Sequence, residues 1–498
     1  MNQNDSFFAI SPTVDVTYSD LCLFSQYLFE KLKSKTGLSS PLVVLQAEST
    51  IETIKIIASC WLTKIPFIII PEYATTPEVT SYLNGLSPDI IIGNEKFIKE
   101  VQKSFNFIPS LDSSSLILND FKDLKSLYEI NKMDKFSNVD ESQNQLEKNP
   151  ESIFAYLFTS GTTNRPKCVP ISRSQILAAS ESTYHSLPID KTDQWLLTMP
   201  LNHIGGISII TRSLILGSSL RYIPKFDVEI VKNILNTETT VTFCSLVPTQ
   251  LQKIILDSSF NVHSRFKCIL LGGGPIPEAL IEETRSRNIP VISSFGMTET
   301  TAQCIAVPFS EMVHAPLNSC GKPLKNVEIQ IREADKNDSV AQRFGFMWVR
   351  GPQIIKQYLD PEHNHVFDEE GWFNTEDYAE IDSDGFVRIL MRRTDRIVTG
   401  GENVNPVEIE NLLLQMTNLT DAAVVGLPDK VWGQKIIVAV PLHTIYQQVN
   451  IDDIKSFLNG KIAQFKIPKE LVVVESIPRT SSGKIKRSTL IEMIQDKL

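Results

Sequence analysis

One short segment of the chain combines the residue types that bind phosphate groups. It follows a predicted strand at residues 154–158 and reads Thr159-Ser160-Gly161-Thr162-Thr163-Asn164-Arg165-Pro166-Lys167. Glycine lets backbone amides approach an anion, hydroxyl groups donate hydrogen bonds to its oxygens, and a lysine adds positive charge. The segment lacks the Gly-Lys-Ser/Thr ending of a P-loop. It predicts a phosphate site, although an ordinary polar loop has a similar composition.

Three further residues, Glu299, Asp377 and Lys484, are given a role in phosphate chemistry only by the family resemblance described in the next paragraph. Glu299 offers the hard oxygen ligand that Mg²⁺ prefers. Asp377 can accept hydrogen bonds, and Lys484 can offset negative charge in a transition state. Each also has an ordinary interpretation, as a carboxylate at a helix start, a turn residue and a solvated surface lysine. The order of the segments along the chain decides between these interpretations.

That order resembles the adenylate-forming superfamily, which contains acyl-CoA ligases, luciferases and the adenylation domains of peptide synthetases. The resemblance covers nearly the whole chain, and its motifs are weak singly but specific as an ordered set. After the Thr/Ser-rich segment they are Gly296-Met297-Thr298-Glu299-Thr300, Thr375-Glu376-Asp377, Arg392-Arg393-Thr394-Asp395, Gly400-Gly401-Glu402-Asn403 and Pro478-Arg479-Thr480-Ser481-Ser482-Gly483-Lys484. The family usually has glycine where Glu376 stands, so a positive φ there would cost this chain about 1 kcal/mol.

The resemblance implies a reaction in which a carboxylate attacks the α-phosphate of ATP. Both reactants are anions, so cations and N–H donors must offset the charge that develops. The Thr/Ser-rich segment and Lys167 would hold the β- and γ-phosphates, and Glu299 would bind Mg²⁺. Thr298 would contact the α-phosphate, and Lys484 would bridge the carboxylate and that phosphate.

The same resemblance implies further contacts to the nucleotide, the acid and the thiol. Asp377 would accept hydrogen bonds from the ribose hydroxyls, with Arg392 assisting. His203 would lie beside the acid pocket and the route of the thiol, although a lone histidine is often structural. ATP, Mg²⁺ and the co-substrate coenzyme A are the implied cofactors. The adenine and acid pockets would be lined by the segment that contains Gly272, Gly273 and Gly274, and Gly296 and Met297 would belong to the segment that binds the nucleotide and Mg²⁺.

The chain is also implied to divide into two domains at a hinge. Residues 1–394 would bind ATP and the acid, and residues 395–498 would form a mobile lid that turns about Asp395. One pose would insert Lys484 for adenylation, and the other would present the 400–403 segment for thioester formation. A plain linker aspartate at 395 is the alternative.

Within the superfamily, the chain is most similar to the o-succinylbenzoate–CoA ligases of menaquinone biosynthesis. The segments that carry this similarity are His203-Ile204 with Gly206 and Arg212, Gly272-Gly273-Gly274-Pro275, the 296–303 segment that ends in Gln303, and Trp432-Gly433-Gln434. Such an acid has a second carboxylate, which needs a cation or several donors. Arg212 would supply the cation, although an arginine on a helix is as often structural. Those ligases commonly have serine where Gly205 stands, so a pocket hydroxyl is expected to be missing. The residues expected to contact the acid are His203, Arg212, Gly272 and Gln303.

Three alternatives stay open at this point. The chain could be another aryl- or fatty-acid–CoA ligase, or a stand-alone adenylating enzyme that loads a carrier protein. It could also be a nucleotide-binding protein with a degenerate site. The presence of Lys167, Glu299 and Lys484 together disfavours the last alternative.

Composition narrows the class of protein further. The 498 residues are 42% hydrophobic and carry a net charge of −10, which excludes a disordered chain and gives no overall electrostatic match to nucleic acid. Seven cysteines without CxxC spacing indicate free buried thiols. The chain shows neither a signal peptide nor a long apolar span, so we expect a cytoplasmic protein; a homo-oligomer stays open.

The elements that must position these residues alternate between strands and helices. Strands predicted at 196–199, 241–244, 268–271 and 291–295 run into proline- or glycine-containing loops, which is where open α/β sheets place their sites. We expect a large N-terminal part of layered α/β subdomains with a small β region after residue 320. A small, mobile α+β C-terminal domain would follow, with helices at 408–416 and 451–465 and strands at 422–426 and 436–440.

Overall fold

A computed structural model describes residues 6–105, 108–116, 152–159, 166–332, 344–392, 397–399, 402–429, 432–442, 449–480 and 483–495. The predicted hinge at Asp395 lies outside the described residues, as do residues 400 and 401 of the segment that follows it. Nearly all of the polar stretch at 132–152, which the sequence predicts to be a surface connection, also lies outside them. The domain boundary at 394/395 therefore stays a prediction.

The strands are short, and most are rich in β-branched and aromatic residues, which fit a pleated, buried surface. In chain order they are β1 (Phe7–Ile10), β2 (Asp15–Thr17), β3 (Val43–Ala47), β4 (Phe67–Pro71), β5 (Ile90–Gly93), β6 (Ser110–Asp112), β7 (Ile153–Thr159), β8 (Lys167–Ser172), β9 (Gln194–Leu197), β10 (Ser219–Tyr222), β11 (Val241–Leu246), β12 (Cys268–Leu271), β13 (Val291–Met297), β14 (Ala302–Ala306), β15 (Lys322–Pro323), β16 (Glu328–Arg332), β17 (Phe344–Arg350), β18 (Phe373–Ile381), β19 (Val387–Arg392), β20 (Ile397–Thr399), β21 (Glu402–Val404), β22 (Ala423–Asp429), β23 (Gly433–Pro441) and β24 (Glu470–Val474).

The helices mostly begin at a Thr, Ser, Asn or Asp side chain that accepts a backbone N–H of the first turn, as at Thr17, Thr50 and Ser172. In chain order they are α1 (Tyr18–Thr36), α2 (Ile51–Thr63), α3 (Thr76–Leu83), α4 (Glu95–Ser104), α5 (Arg173–Ser186), α6 (Ile204–Leu216), α7 (Val228–Thr237), α8 (Pro248–Ile255), α9 (Glu278–Ser286), α10 (Pro406–Leu413), α11 (Ile451–Leu458) and α12 (Arg487–Gln495).

Within the described residues, the strands form four sheets. One has the order β6-β5-β3-β4-β7-β8, and a second has the order β15-β14-β13-β12-β11-β9-β10-β1-β2. The third, β16-β17-β18-β19, is antiparallel and forms the small β region that the sequence predicts. The fourth has the order β21-β20-β23-β22, with β24 paired to β23.

The hydrophobic cores fall into two separate sets, which indicates that the chain folds into a large part and a small part. The largest core runs through the first three sheets, since it includes Val43, Trp195 and Met347. The cores of the fourth sheet contain only residues between Ile397 and Ile494. The fold is therefore a layered α/β N-terminal part with a β region, followed by a small α+β C-terminal domain, as the sequence predicts.

The expected helix at 451–465 is wrong beyond residue 458. Helix α11 ends at Leu458, and Gly460 follows in the left-handed conformation with φ 76°. Glycine adopts this conformation at little cost and so reverses the chain. Residues 464–466 form only a short 3-10 turn. The helix expected at 408–416 is also shifted, because α10 starts at Pro406 and ends at Leu413.

All seven cysteines are free, and each except Cys22 is buried, which confirms the expectation of buried thiols for six of them. Burial raises the pKa of the Cys60 thiol to about 12, so that thiol is protonated and unreactive at neutral pH. No helix among the described residues has the length and apolar character needed to cross a membrane.

Candidate active site

The candidate site lies at one edge of the second sheet. Strands β9, β11, β12 and β13 are parallel neighbours, so their carboxyl ends meet at the same edge. The chain then enters the loop before His203, the start of α8, the Gly272–Gly274 segment and the Thr298–Thr300 turn. This is the edge at which open α/β sheets bind ligands, and of the predicted residues the strands bring His203, Gly272–Gly274 and Glu299 to it.

Two of the predicted glycines are required by close packing at this edge. A Cβ on Gly272 would lie 2.7 Å from Ser294 Oγ, and a Cβ on Gly296 would lie 2.1 Å from the Ala302 carbonyl oxygen. A Cβ carbon does not approach other atoms this closely. At Gly296 the obstructing atoms belong to the backbone of the paired strand β14, so a side chain there would disturb the pairing, and at Gly272 a side chain would also crowd the Ser294 carbonyl oxygen at 3.2 Å. The glycines thus keep backbone exposed at the site.

Glu299 and Lys167 both contact the same tyrosine, Tyr358. Glu299 is 3% exposed and lies in the 3-10 turn after β13. The Tyr358 hydroxyl donates a 2.8 Å hydrogen bond to Glu299 Oε1. The Lys167 ammonium lies 5.2 Å from the centre of the Tyr358 ring, within cation–π range. Burial, with the Glu299 carboxylate second, raises the pKa of the Tyr358 hydroxyl, which therefore stays a donor.

The Thr/Ser-rich segment joins two paired strands. Thr159 ends β7, Lys167 begins β8, and the two residues are register partners in an antiparallel pair. The segment is thus a connection between neighbouring strands, as predicted from the strand before it. Ser160, Gly161, Thr162 and Thr163 lie outside the described residues, so their contact with phosphate stays a prediction.

Lys484, the lysine of the last motif, is close enough to His203, which precedes α6, to affect the pKa of its imidazole. Burial, followed by the Lys484 ammonium, lowers the pKa of the His203 imidazole, which is therefore neutral at pH 7. The adjacent Gly483 packs against α8, since a Cβ there would lie 2.7 Å from Thr249 Oγ1. The small domain therefore presents Lys484 to the edge of the sheet where the other site residues lie.

Asp377 lies in the interior, 1% exposed, on β18. It is the register partner of Arg392 on β19, so the backbone juxtaposes the pair predicted to bind the ribose; the Arg392 side chain is outside the described residues. Burial raises the pKa of the nearby Cys304 thiol to about 12, and the Asp377 carboxylate adds to this shift. Contact of Asp377 with a ribose stays a prediction.

Glu376 has the positive φ that the sequence comparison with the family predicts. Its φ is 59°, in the left-handed region that glycine occupies without strain. Its backbone N–H donates a 2.9 Å hydrogen bond to Asn374 Oδ1, which fixes the turn. The departure from glycine is therefore accommodated by strain rather than by a different backbone.

We expect Glu376→Gly to raise the free energy of unfolding by about 0.5–1 kcal/mol, because glycine removes the left-handed penalty and keeps the backbone hydrogen bond. Urea denaturation of the two proteins measures this. Equal or lower stability of the variant would show that contacts of the glutamate side chain outweigh the strain.

Arg212 and Gln303 line one small cavity beside the Glu299 turn. The cavity, of about 10 Å³, is bounded by α5, α6 and residues 301–303. Among the described residues, Arg212 Nε and Nη1 and Gln303 Oε1 have no hydrogen-bond partner although they are buried. Burial lowers the pKa of the Arg212 guanidinium to about 10, which leaves it charged at neutral pH. A buried cation of this kind calls for an anion.

The cavity contains a hydroxyl, that of Ser208, although Gly205 stands where related ligases commonly have serine. Ser208, one turn after Gly205, lines the same cavity, and Arg212 Nη2 lies 3.5 Å from its Oγ. Ser208 Oγ donates to the Gly205 carbonyl oxygen at 3.0 Å. Ser208 is therefore a hydroxyl beside Arg212 that sequence reasoning did not find.

Sequence reasoning also missed the loop at residues 351–359. Gln353 is fully buried, and its amide donates to the carbonyls of Thr300 and Gln303 at 2.9 and 2.8 Å. The Ile355 N–H donates to the Glu299 carbonyl at 2.9 Å. Only a Gly-Pro turn marks this loop in the sequence, and nothing in its composition indicates that it folds back onto the site.

The arrangement suits Mg²⁺ bound together with a phosphate chain. Among the described residues, no group of three His, Cys, Asp or Glu side chains could hold a metal by itself. Mg²⁺, however, usually takes one or two protein carboxylates plus phosphate oxygens and water. Glu299, with Oε1 occupied by Tyr358, has a second carboxylate oxygen for that purpose.

The chain belongs to the AMP-binding enzyme family. The family's model matches residues 2–359, and the model of the AMP-binding enzyme C-terminal domain matches residues 408–484. Together the two matches cover most of the chain and both of its parts, which confirms the resemblance seen in the motifs.

Particular relatives are similar over nearly their whole length. The chain is 31% identical over 479 residues to a 2-succinylbenzoate–CoA ligase of Staphylococcus epidermidis, covering 96% of this chain and 93% of the relative. An o-succinylbenzoate CoA synthetase of Bacillus subtilis, solved with the acyl-adenylate intermediate OSB-AMP, superposes with a TM-score of 0.83 at 27% identity, covering 97% and 95% of the two chains. The same B. subtilis enzyme with ATP and magnesium ion gives 0.83 at 26% identity, covering 98% and 96%.

Proposed function

We propose that the protein is an ATP-dependent acid–CoA ligase that converts o-succinylbenzoate to its CoA thioester through an acyl-adenylate. In the first step, a carboxylate oxygen of the acid attacks the α-phosphorus, the bond from that phosphorus to the bridging oxygen breaks, and pyrophosphate leaves. In the second step, the thiol sulfur of coenzyme A attacks the acyl carbonyl, AMP leaves and the thiol proton passes to solvent. Mg²⁺, when bound, screens the phosphate charges.

The arrangement of cations around the site supports the first step. Lys167 and Glu299 contact the same residue, Tyr358, and Lys484 of the small domain is close enough to His203 to lower the pKa of its imidazole. Lys167 and the metal held by Glu299 would neutralise the β- and γ-phosphates. Lys484 would neutralise the carboxylate and the α-phosphate as they approach each other, which is where charge repulsion is largest.

The observation that carries the choice of acid is the buried guanidinium of Arg212. Its Nε and Nη1 have no hydrogen-bond partner among the described residues. The cavity that it lines lies next to the Glu299 turn and has room for about one water molecule as it stands. We propose that the carboxylate that does not react enters here and bonds to Arg212, with Gln303 and Ser208 beside it.

A comparison of acids tests the proposed function. Pyrophosphate release is measured with o-succinylbenzoate, cinnamates and fatty acids of graded length, each with and without coenzyme A. We expect the highest kcat/KM with o-succinylbenzoate and a thioester product only when coenzyme A is present. Adenylate formation without thioester would favour a carrier-protein-loading enzyme, and ATP binding without pyrophosphate release with any acid would contradict an enzymatic role.

We expect Arg212→Met to lower kcat/KM for o-succinylbenzoate by about 10²-fold or more, because the buried carboxylate loses its charged partner. For an analogue that lacks the non-reacting carboxylate, the same substitution should change kcat/KM less than threefold or so, since methionine fills a similar volume. Steady-state pyrophosphate assays with both acids measure the difference. Equal losses with both acids would mean that Arg212 acts on the fold and not on selectivity.

We further propose that the protein is cytoplasmic, where it would meet ATP and coenzyme A. We also propose that residues 395–498 move as a lid about Asp395. The close packing of Gly483 on Thr249, together with the effect of the Lys484 charge on His203, supports the adenylation pose. Thioester formation would need a second pose that withdraws Lys484. A disulfide or chemical crosslink between positions 249 and 483 should permit adenylate formation and block the thioester step.

A further inference from the structure

The strongest additional feature of the site is a tyrosine that contacts two of its charged groups. Tyr358 is 3% exposed, its hydroxyl bonds to Glu299 Oε1 at 2.8 Å, and its ring faces the Lys167 ammonium. Neither the motifs nor the family resemblance draws attention to it. A single rigid side chain therefore fixes both the metal-binding carboxylate and the lysine directed at the phosphates.

The loop that carries Tyr358 is held from several sides. The Ile355 N–H bonds to the Glu299 carbonyl, and the Leu359 N–H bonds to the Cys168 carbonyl at 3.1 Å, one residue after Lys167. The Tyr358 N–H bonds to Asn364 Oδ1 at 2.7 Å. These bonds tie the loop to the two segments that bear Glu299 and Lys167, so the hydroxyl has a fixed position relative to both.

We infer that Tyr358 is a positioning residue for the metal: its hydroxyl binds Glu299 Oε1 and so fixes the orientation of the carboxylate that would bind Mg²⁺. A carboxylate that accepts a fixed hydrogen bond is held in one orientation, so its remaining lone pairs are presented to a cation in defined directions. Without the hydroxyl, Glu299 would rotate in its buried pocket, and the metal would lose a preorganised ligand. This inference rests on the proposed function only in naming ATP and Mg²⁺ as the ligands.

Tyr358→Phe tests the inference, because it removes the hydroxyl and keeps the ring that packs on Phe367 and His363. The matched control is Tyr222→Phe, which removes a hydroxyl that is equally buried but has no hydrogen-bond partner among the described residues. Binding of α,β-methylene-ATP, which cannot release pyrophosphate, is measured by calorimetry over a series of Mg²⁺ concentrations, without any acid.

We expect Tyr358→Phe to require about 10–100-fold more Mg²⁺ for tight nucleotide binding, and Tyr222→Phe to behave like the wild type. In a Glu299→Gln background, Tyr358→Phe should cause no further change, because it acts through the carboxylate. An unchanged Mg²⁺ requirement in Tyr358→Phe, or an equal further loss in the Glu299→Gln background, would overturn the inference.

The test of Tyr358 gives an answer whether or not o-succinylbenzoate is the substrate. If the wild type binds the analogue with Mg²⁺ but forms no adenylate with o-succinylbenzoate, the proposed substrate fails and the role of Tyr358 is still decided by the binding curves. With an active acid, kcat and KM for ATP should recover toward wild-type values at high Mg²⁺ in Tyr358→Phe. Failure to recover would also count against a role through the metal.

Discussion

Replacing Lys484 by alanine is expected to slow adenylate formation by about 10²–10³-fold, the loss typical of removing one charge-stabilising group from a transition state. The negative charge near Lys484 is greatest when the carboxylate approaches the α-phosphate in the transition state. Loss of the lysine should therefore lower kcat far more than the affinity for ATP. Single-turnover pyrophosphate release at saturating ATP measures the step directly.

Two comparisons separate this role from a general effect on the small domain. Lys486→Ala removes a lysine two residues away and should leave the rate within about twofold, since exposed charges contribute little. The thioester step, started from chemically prepared acyl-adenylate, should be nearly unchanged in Lys484→Ala, because the proposed second pose withdraws the lysine. A Lys484→Ala enzyme with the full adenylation rate would show that another group supplies the charge.

Replacing Glu299 by glutamine is expected to lower the adenylation rate by a similar 10²–10³-fold at physiological Mg²⁺, because a neutral amide is a poor ligand for a hard dication. The loss should shrink as Mg²⁺ is raised, since the phosphates themselves still bind the metal. The rate is measured at several Mg²⁺ concentrations with ATP and o-succinylbenzoate held saturating.

An exposed carboxylate on α9 provides the control for this substitution. Glu282→Gln makes the same carboxylate-to-amide change at an exposed position away from the site. It should leave both the adenylation rate and its Mg²⁺ dependence unaltered. If Glu299→Gln lost activity equally at all Mg²⁺ concentrations, the glutamate would serve the packing of the turn and the Tyr358 bond rather than the metal.

Much of the site was predictable because it depends on local chemistry. Strands that end in Gly272 or Gly296 are recognisable in sequence, and the rules for parallel sheets bring their ends to one edge. The strain at Glu376 could also be anticipated. The family usually has glycine at this position, and glycine often occupies a positive φ that strains other residues. These features follow from short stretches of chain and do not depend on distant contacts.

The parts that were not predicted depend on contacts between distant segments. Tyr358 lies 59 residues from Glu299 along the chain, and no local pattern indicates that its hydroxyl reaches that carboxylate. Ser208 adds a hydroxyl to the cavity beside Arg212 only because both residues lie on the helix that borders it. The early end of α11 was missed because the apolar pattern continues past Gly460, where the backbone turns.

The most direct test of the account is a rapid-quench experiment with ATP labelled at the α-phosphate, excess enzyme and o-succinylbenzoate, without coenzyme A. The account predicts that label moves from ATP into an acid-linked adenylate, one for each pyrophosphate released, and that adding coenzyme A converts this adenylate to AMP and the thioester. Label appearing in ADP, or ATP that stays intact while bound to the enzyme in the presence of the acid, would contradict it.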